Sequence, residues 1–258
     1  MIEVIENGVS QNLDIDLSGI ITNNNFTNRS GNITNIFTHQ TKVQDKHKFQ
    51  FIYQRNSQKE EYSLCSPTNC DESCKVIAII LESPHYEEYK YQDCLQNSFT
   101  IKSRTKHKKT KIQTINSLIP VEPANGSTGN LMKRWLTPIL SNIGVSFGSY
   151  CVWVVNPVQW QTSLFMLHGE SLGLKKYNNL RNDVWKKIWN ISDIKTNFEN
   201  RVNQLAPEYI LNCCTKELQP LITYFLLSKW VGSNIEIYKS YHPSNWNKQE
   251  RRVIKKIS

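Results

Sequence analysis

Four short apolar stretches punctuate the chain and predict its sheet. Lys75-Val76-Ile77-Ala78-Ile79-Ile80-Leu81 is a continuous apolar run, closed by Pro84. A run without alternation reads as a strand buried on both faces, as in a parallel sheet. Tyr150-Cys151-Val152-Trp153-Val154-Val155 has the same look and stops at Asn156-Pro157. Glu208-Tyr209-Ile210-Leu211-Asn212-Cys213-Cys214 is a third strand, and Ile235 to Ser240 alternates apolar with polar as a fourth. Helical patterns lie between them. One begins at Leu131, and one spans Asn182 to Phe198 with Trp185 and Trp189 as core residues. Another runs from Leu218 to Trp230, with Leu221, Tyr224, Phe225 and Leu226 facing inward. Strands alternating with helices predict an α/β fold with right-handed crossovers.

Residues 1–73 depart from that pattern. They are rich in Asn, Thr, Ser and Gln, with short alternations such as Lys48-Phe49-Gln50-Phe51-Ile52-Tyr53. They read as a β-leaning N-terminal extension or small appended module, although a partly disordered segment would have the same composition. Residues 74–258 are left as the main domain.

Composition narrows the partners. Across 258 residues, 39% are hydrophobic and 21% charged, ordinary for a globular protein, but the net charge is +9. That excess favours a polyanion, either nucleic acid or an acidic membrane surface. No apolar run approaches the ~18 residues of a spanning helix. The first residues lack the basic-then-apolar layout of a signal peptide. A cytoplasmic location without membrane insertion is therefore expected. The seven cysteines are odd in number and widely spread, which argues against a disulfide scaffold. Cys65, Cys70, Cys74 and Cys94 contain no C-x-x-C pair, so they read as ordinary thiols, and no metal is assigned.

Three of the four strands end in reactive or hydrogen-bonding residues, where open α/β sheets bind ligands. The first ends in Glu82-Ser83-Pro84-His85, the second in Asn156, and the fourth in Tyr241-His242-Pro243-Ser244-Asn245-Trp246. Two other segments suit phosphates. One is the basic run Ile101 to Lys111. The other is Gly126-Ser127-Thr128-Gly129, which offers backbone amides and hydroxyls ahead of a helix. No Gly-Lys-Ser or Gly-Lys-Thr follows it, which excludes a Walker-type nucleotide hydrolase.

Taken together, residues 74 to 250 resemble the uracil-DNA glycosylase superfamily. The shared features are a first strand running into Leu81-Glu82-Ser83-Pro84-His85, a middle strand ending in Asn156, and a last strand leading into His242-Pro243-Ser244-Asn245-Trp246. The resemblance implies a three-layer sandwich around a central four-stranded parallel sheet. It implies a monofunctional, cofactor-free, monomeric enzyme that flips a pyrimidine out of DNA and hydrolyses its N-glycosidic bond. His242 would donate to the pyrimidine O2, Asn156 would read the flipped base, and Phe99 would stack on it. Ser127 and Ser244 would contact phosphates, and Trp246 would act as a wedge in the duplex. Ser83 stands where the family has a water-activating Asp or Asn, so the acid role is expected of Glu82. His85 stands where the family has a tyrosine that screens out 5-substituted pyrimidines. That change points toward a modified base, such as glucosylated hydroxymethylcytosine in phage DNA. Two alternatives accompany this reading: a non-catalytic DNA-binding module, and a metal-dependent nuclease using Glu82, Glu87 and Glu88.

Overall fold

The structure is a computed structural model that describes residues 2–6, 9–13, 39–67, 74–84, 89–92, 99–104, 110–115, 117–120, 122–160, 162 and 174–258. The chain forms two compact units, each assembled from three segments. One comprises Met1–Gln44, Ser83–Glu122 and Val158–Ile194, and the other Asp45–Glu82, Pro123–Pro157 and Lys195–Ser258.

The first unit holds strands β1 (Ile2–Glu6), β2 (Val9–Leu13) and β3 (His39–Thr41). Further along, β7 (Tyr89–Gln92), β8 (Phe99–Arg104), β9 (Thr110–Ile115) and β10 (Ser117–Pro120) follow. A five-stranded sheet has the order β2-β1-β3-β10-β7, and β8 pairs with β9 as a separate antiparallel hairpin. Residues 101–104 and 110–111 of the basic run lie in β8 and β9, and its residues 105–109 lie outside the described residues. Helix α2 (Leu174–Trp189) buries Val184, Trp185, Ile188 and Trp189, and the two tryptophan rings stack 5.4 Å apart.

The second unit is built on a mixed seven-stranded sheet. Its strands are β4 (Lys46–Asn56), β5 (Lys59–Cys65), β6 (Lys75–Ile80), β11 (Gly148–Val155), β12 (Tyr209–Asn212), β13 (Glu236–Ser240) and β14 (Ile254–Lys256). Their order is β14-β13-β12-β6-β11-β4-β5. Neighbours from β13 to β11 pair in parallel, while β14, β4 and β5 add antiparallel edges. The α/β class expected from the sequence is present, but the sheet is larger and mixed. Residues 46–65, read as part of an extension, form two of its strands.

Helix α1 (Ser127–Ser141) covers part of this sheet. Its Met132, Leu136, Ile139 and Leu140 share one core with Phe51, Ile77, Ile79, Val152, Leu211 and Tyr238. Gly129 near its start is required for space, because a Cβ there would lie 1.8 Å from the Ala124 backbone oxygen. Helix α3 (Ser192–Leu205) begins in the first unit and continues in the second. The single helix expected over residues 182–198 is therefore two, divided at Asn190-Ile191. Asn and Ser favour helix ends, which accounts for the break between Asn190 and Ser192. Helix α4 (Gln219–Trp230) lies against β12 and β13. Its buried stripe is Ile222, Phe225, Leu226 and Trp230, whereas Leu221 and Tyr224 are 39% and 78% exposed. The inward face is displaced from the expected one to 222, 225, 226 and 230, since 221/224/225 and 222/225/226 both have helical spacing and packing on the sheet selects the second.

Candidate functional site

Strand register brings the carboxyl ends of four strands into one row. Val155 is level with Ile80, Ile80 with Asn212, and Asn212 with Lys239. Asn156, Leu81, Cys213 and Ser240 each come one residue later. Glu82 and His242 leave the sheet immediately beyond, on strands two apart, roughly 10 Å across the sheet.

Glu82 is almost fully buried, and its Oε2 accepts the Thr215 backbone N–H at 2.8 Å. The same oxygen lies 4.0 Å from His242 Nε2. That separation exceeds a hydrogen bond but keeps the two groups electrostatically coupled. His242 is also buried. Its Nδ1 accepts from the Ser244 backbone N–H at 3.3 Å and lies 2.8 Å from Ser244 Oγ. A backbone N–H can only donate, so Nδ1 must be the acceptor. Neutral His242 therefore carries its proton on Nε2, the nitrogen facing Glu82. The arrangement sets an Nε2–H donor beside a buried carboxyl group.

Asn156 is fixed through its backbone. Its N–H reaches Asp45 Oδ1 at 3.4 Å, and its carbonyl accepts from Arg201 Nη2 at 2.9 Å. Arg201 and Asp45 form a largely buried ion pair. Burial pushes the Asp45 carboxyl up, and the Arg201 charge and hydrogen bonds pull it back. Asn156 is 1% exposed, and its Oδ1 has no hydrogen-bond partner among the described residues. A buried acceptor left in that state is costly unless a ligand supplies a donor.

The adjacent strand end has a supporting role. Asn212 Nδ2 donates to Thr223 Oγ1 at 3.0 Å, and its Oδ1 accepts the Cys214 N–H at 3.1 Å. Gln219 Nε2 donates to the Ser240 carbonyl at 2.6 Å and the Asn212 carbonyl at 3.1 Å, joining the ends of β12 and β13. Cys213 and Cys214 stay protonated, because burial and then the Glu82 charge push both thiols well up.

The sequence-predicted residues divide into groups. Glu82 and His242 come together, and Asn156 ends the strand beside the one carrying Glu82. The Ser83 hydroxyl is 2.8 Å from Thr162 Oγ1, within the first unit. Ser127 is the exposed first residue of α1. Ser244 is the hydrogen-bond partner of His242. Trp246 is a correction, since it is 0% exposed and belongs to the core shared with α1. In that position the side chain packs in the core and is not presented at the surface as a wedge would be. Phe99 opens β8, but its side chain lies outside the described residues, as do His85, Glu87, Glu88, Cys70 and Cys94. Cys65, Cys74, Cys213 and Cys214 are free thiols, and Cys151 is disulfide-bonded. Among the described residues, no group of three or more His, Cys, Asp or Glu is placed to hold a metal ion. None of their helices is long and apolar enough to cross a membrane.

Sequence reasoning missed Thr215, Gln219, Asp45 and Arg201. Gln219-Pro220 at a helix start was a readable cue. Asp45 and Arg201 had none, lying 156 residues apart. No protein-family model, curated protein or solved structure matches the chain.

Proposed function

We propose that this protein is a monofunctional DNA glycosylase acting on a deaminated or modified pyrimidine. The observation that carries the reading is His242 Nε2 lying 4.0 Å from the buried Glu82 carboxyl, with Nδ1 accepting from the Ser244 N–H. In the proposed reaction the target nucleotide is flipped out, because its glycosidic bond is shielded within the stack. The bond between base nitrogen and C1′ breaks, and its electrons leave with the base. His242 Nε2–H hydrogen-bonds the pyrimidine O2 as negative charge develops there. Preorganised donors aimed at such charge are often the largest catalytic contribution. Glu82 orients a water for attack on C1′ and takes its proton. The proton taken by Glu82 passes through solvent to the released base, and an abasic sugar remains. Asn156 Oδ1 accepts from the N–H edge of the base. The finer fold expectation, a three-layer sandwich around four parallel strands, belongs to this proposal, as does a monomeric, cytoplasmic enzyme.

Two substrates separate the versions of the reading. Uracil-containing duplex tests repair chemistry, and phage DNA carrying glucosylated hydroxymethylcytosine tests an antiviral role. Released base is identified by mass, and abasic sites by alkali-induced strand cleavage. Glu82→Gln keeps an acceptor for the Thr215 N–H while removing the charge. It should lower excision by roughly 10²–10⁴-fold with folding intact, a typical acid–base contribution. Absence of base release from both DNAs sinks the enzymatic reading. Salt-sensitive binding without abasic product would instead identify a binding module.

A further inference from the structure

Five cations lie on α1 and on the loop after His242 in the second unit, and none has a carboxylate partner among the described residues. Lys133 and Arg134 lie on α1, and Lys248, Arg251 and Arg252 lie on the loop that follows His242. The two elements are joined at Trp135. The Arg252 guanidinium sits 3.3 Å from the centre of its ring, and the Arg134 guanidinium 4.9 Å. Arg252 is further fixed by donating from Nε to the Trp246 carbonyl at 2.7 Å. Arg251 lies 4.6 Å over the ring of Tyr241, which is 40% exposed and immediately precedes His242. Elsewhere in this unit Lys75, Arg201, Lys229 and Lys256 are each paired with an acid. On this loop Glu250 is the one acid among three cations, and no ion pair to it is formed among the described residues.

We propose that this surface binds the phosphate backbone of a nucleic acid and positions the strand next to His242. Stacked guanidiniums are held in place before binding and present planar donors suited to phosphate oxygens. Exposed Ser244, Asn245 and Asn247 lie on the same loop just ahead of Lys248 and add neutral donors of the kind that contact phosphates. A lipid surface would call for several apolar residues among the cations, and in this loop only Val253 and Tyr241 are exposed large hydrophobics. The surface rests on the nucleic-acid partner of the proposed function and not on its chemistry. It replaces Trp246, which is buried, as the contact made by this loop.

The test is the salt dependence of full-length protein binding to a fluorescein-labelled 20-base-pair duplex of unmodified bases. Each lost phosphate contact lowers the slope of log affinity against log salt by about 0.9. The exposed pair Lys133→Gln and Lys248→Gln should lower the slope by about 1.8. Adding Arg134→Gln and Arg251→Gln should bring the drop to about 3.6. The control pair Lys59→Gln and Lys216→Gln, exposed in the same unit, should leave the slope unchanged. Unmodified DNA keeps this measurement separate from excision. Steep, surface-dependent binding by a protein that releases no base would uphold the surface and overturn the glycosylase. An unchanged slope in the quadruple variant, equal losses in the control, or no binding by the native chain would overturn the surface. So would selective loss of binding to phosphatidylserine–phosphatidylcholine vesicles with DNA affinity intact.

Discussion

Replacing Trp246 with alanine separates a core residue from a wedge. The side chain is wholly buried beside Met132, Leu136 and Tyr238. Truncation to alanine removes about 200 Å² of burial. At ~25 cal/mol per Å² that is about 5 kcal/mol, the upper end of the roughly 3–5 kcal/mol measured for such truncations. With a urea dependence of about 2 kcal/mol per molar, the unfolding midpoint should fall by roughly 1.5–2.5 M. Phenylalanine should behave differently. Trp246 Nε1 is buried with no acceptor among the described residues, and such a group costs about 1–3 kcal/mol. Trp246→Phe loses ring area but also that unmet donor, so it should stay within about 2 kcal/mol of the native protein. The Arg252 bond to the Trp246 carbonyl survives either change, because it uses the backbone. The assay is urea unfolding of both variants, with duplex binding measured alongside. An alanine variant that unfolds at the native midpoint yet binds duplex at least tenfold more weakly would refute the reasoning and restore the wedge.

Three further outcomes follow from buried or crowded groups. Arg201→Met leaves Asp45 buried without its cation and should cost about 3–5 kcal/mol near neutral pH. The Asp45 carboxyl is already raised by burial, so the loss should shrink as pH falls and Asp45 protonates; a pH-independent loss in urea melts would contradict this. Burial holds the His47 imidazole below its ordinary 6.5, against the raising effect of its bond to the Phe49 carbonyl. The unfolded chain therefore takes up that proton first, and stability should decline as pH falls from 6.5 through the lowered folded value. His47→Gln should flatten that part of the profile, and an unaltered slope between pH 7 and 5 would refute the assignment. Gly129→Ala would set a Cβ 1.8 Å from the Ala124 oxygen. Overpacking of that kind costs about 1–3 kcal/mol, and a thermal midpoint equal to the native one would show that the loop yields freely.

The inner strands were legible because residues buried on both faces leave uninterrupted apolar runs, as in Ile77 to Leu81 and Tyr209 to Leu211. The ends of those runs located Glu82, Asn156 and His242. Direction was harder to read. Glu82 and Ser83 are neighbours in a turn, and nothing local states which one meets His242. Only the position of the Thr215 N–H and the Thr162 hydroxyl assigns them to different units. Trp246 reads identically whether it points to solvent or to α1, and the apolar face of Met132 and Leu136 decides the matter. The β4–β5 hairpin was obscured by its exposed, charged second strand, whose side chains give little apolar signal. Asp45 and Arg201 meet only once the sheet and α3 are both in place.

The residues that carry a motif are thus only part of what makes the site. Gln219 ties the carbonyls of Ser240 and Asn212 together, and Asn212 is in register with Ile80. The strand end bearing His242 is linked in this way to the one bearing Glu82. The Ser244 N–H selects the tautomer that presents His242 Nε2–H, and the Asp45–Arg201 pair clamps both backbone groups of Asn156. Each chemical group is oriented by a partner that has no part in the proposed reaction. A site held through hydrogen bonds in this way depends on fixed direction, since a donor aimed at developing charge loses its effect when it rotates. The burial of Glu82, Asn156 and His242 follows from the same requirement. In this desolvated row Thr215, Ser244, Asp45 and Arg201 meet part of the hydrogen-bonding capacity of these residues. The acceptor left over on Asn156 is the one a ligand would meet.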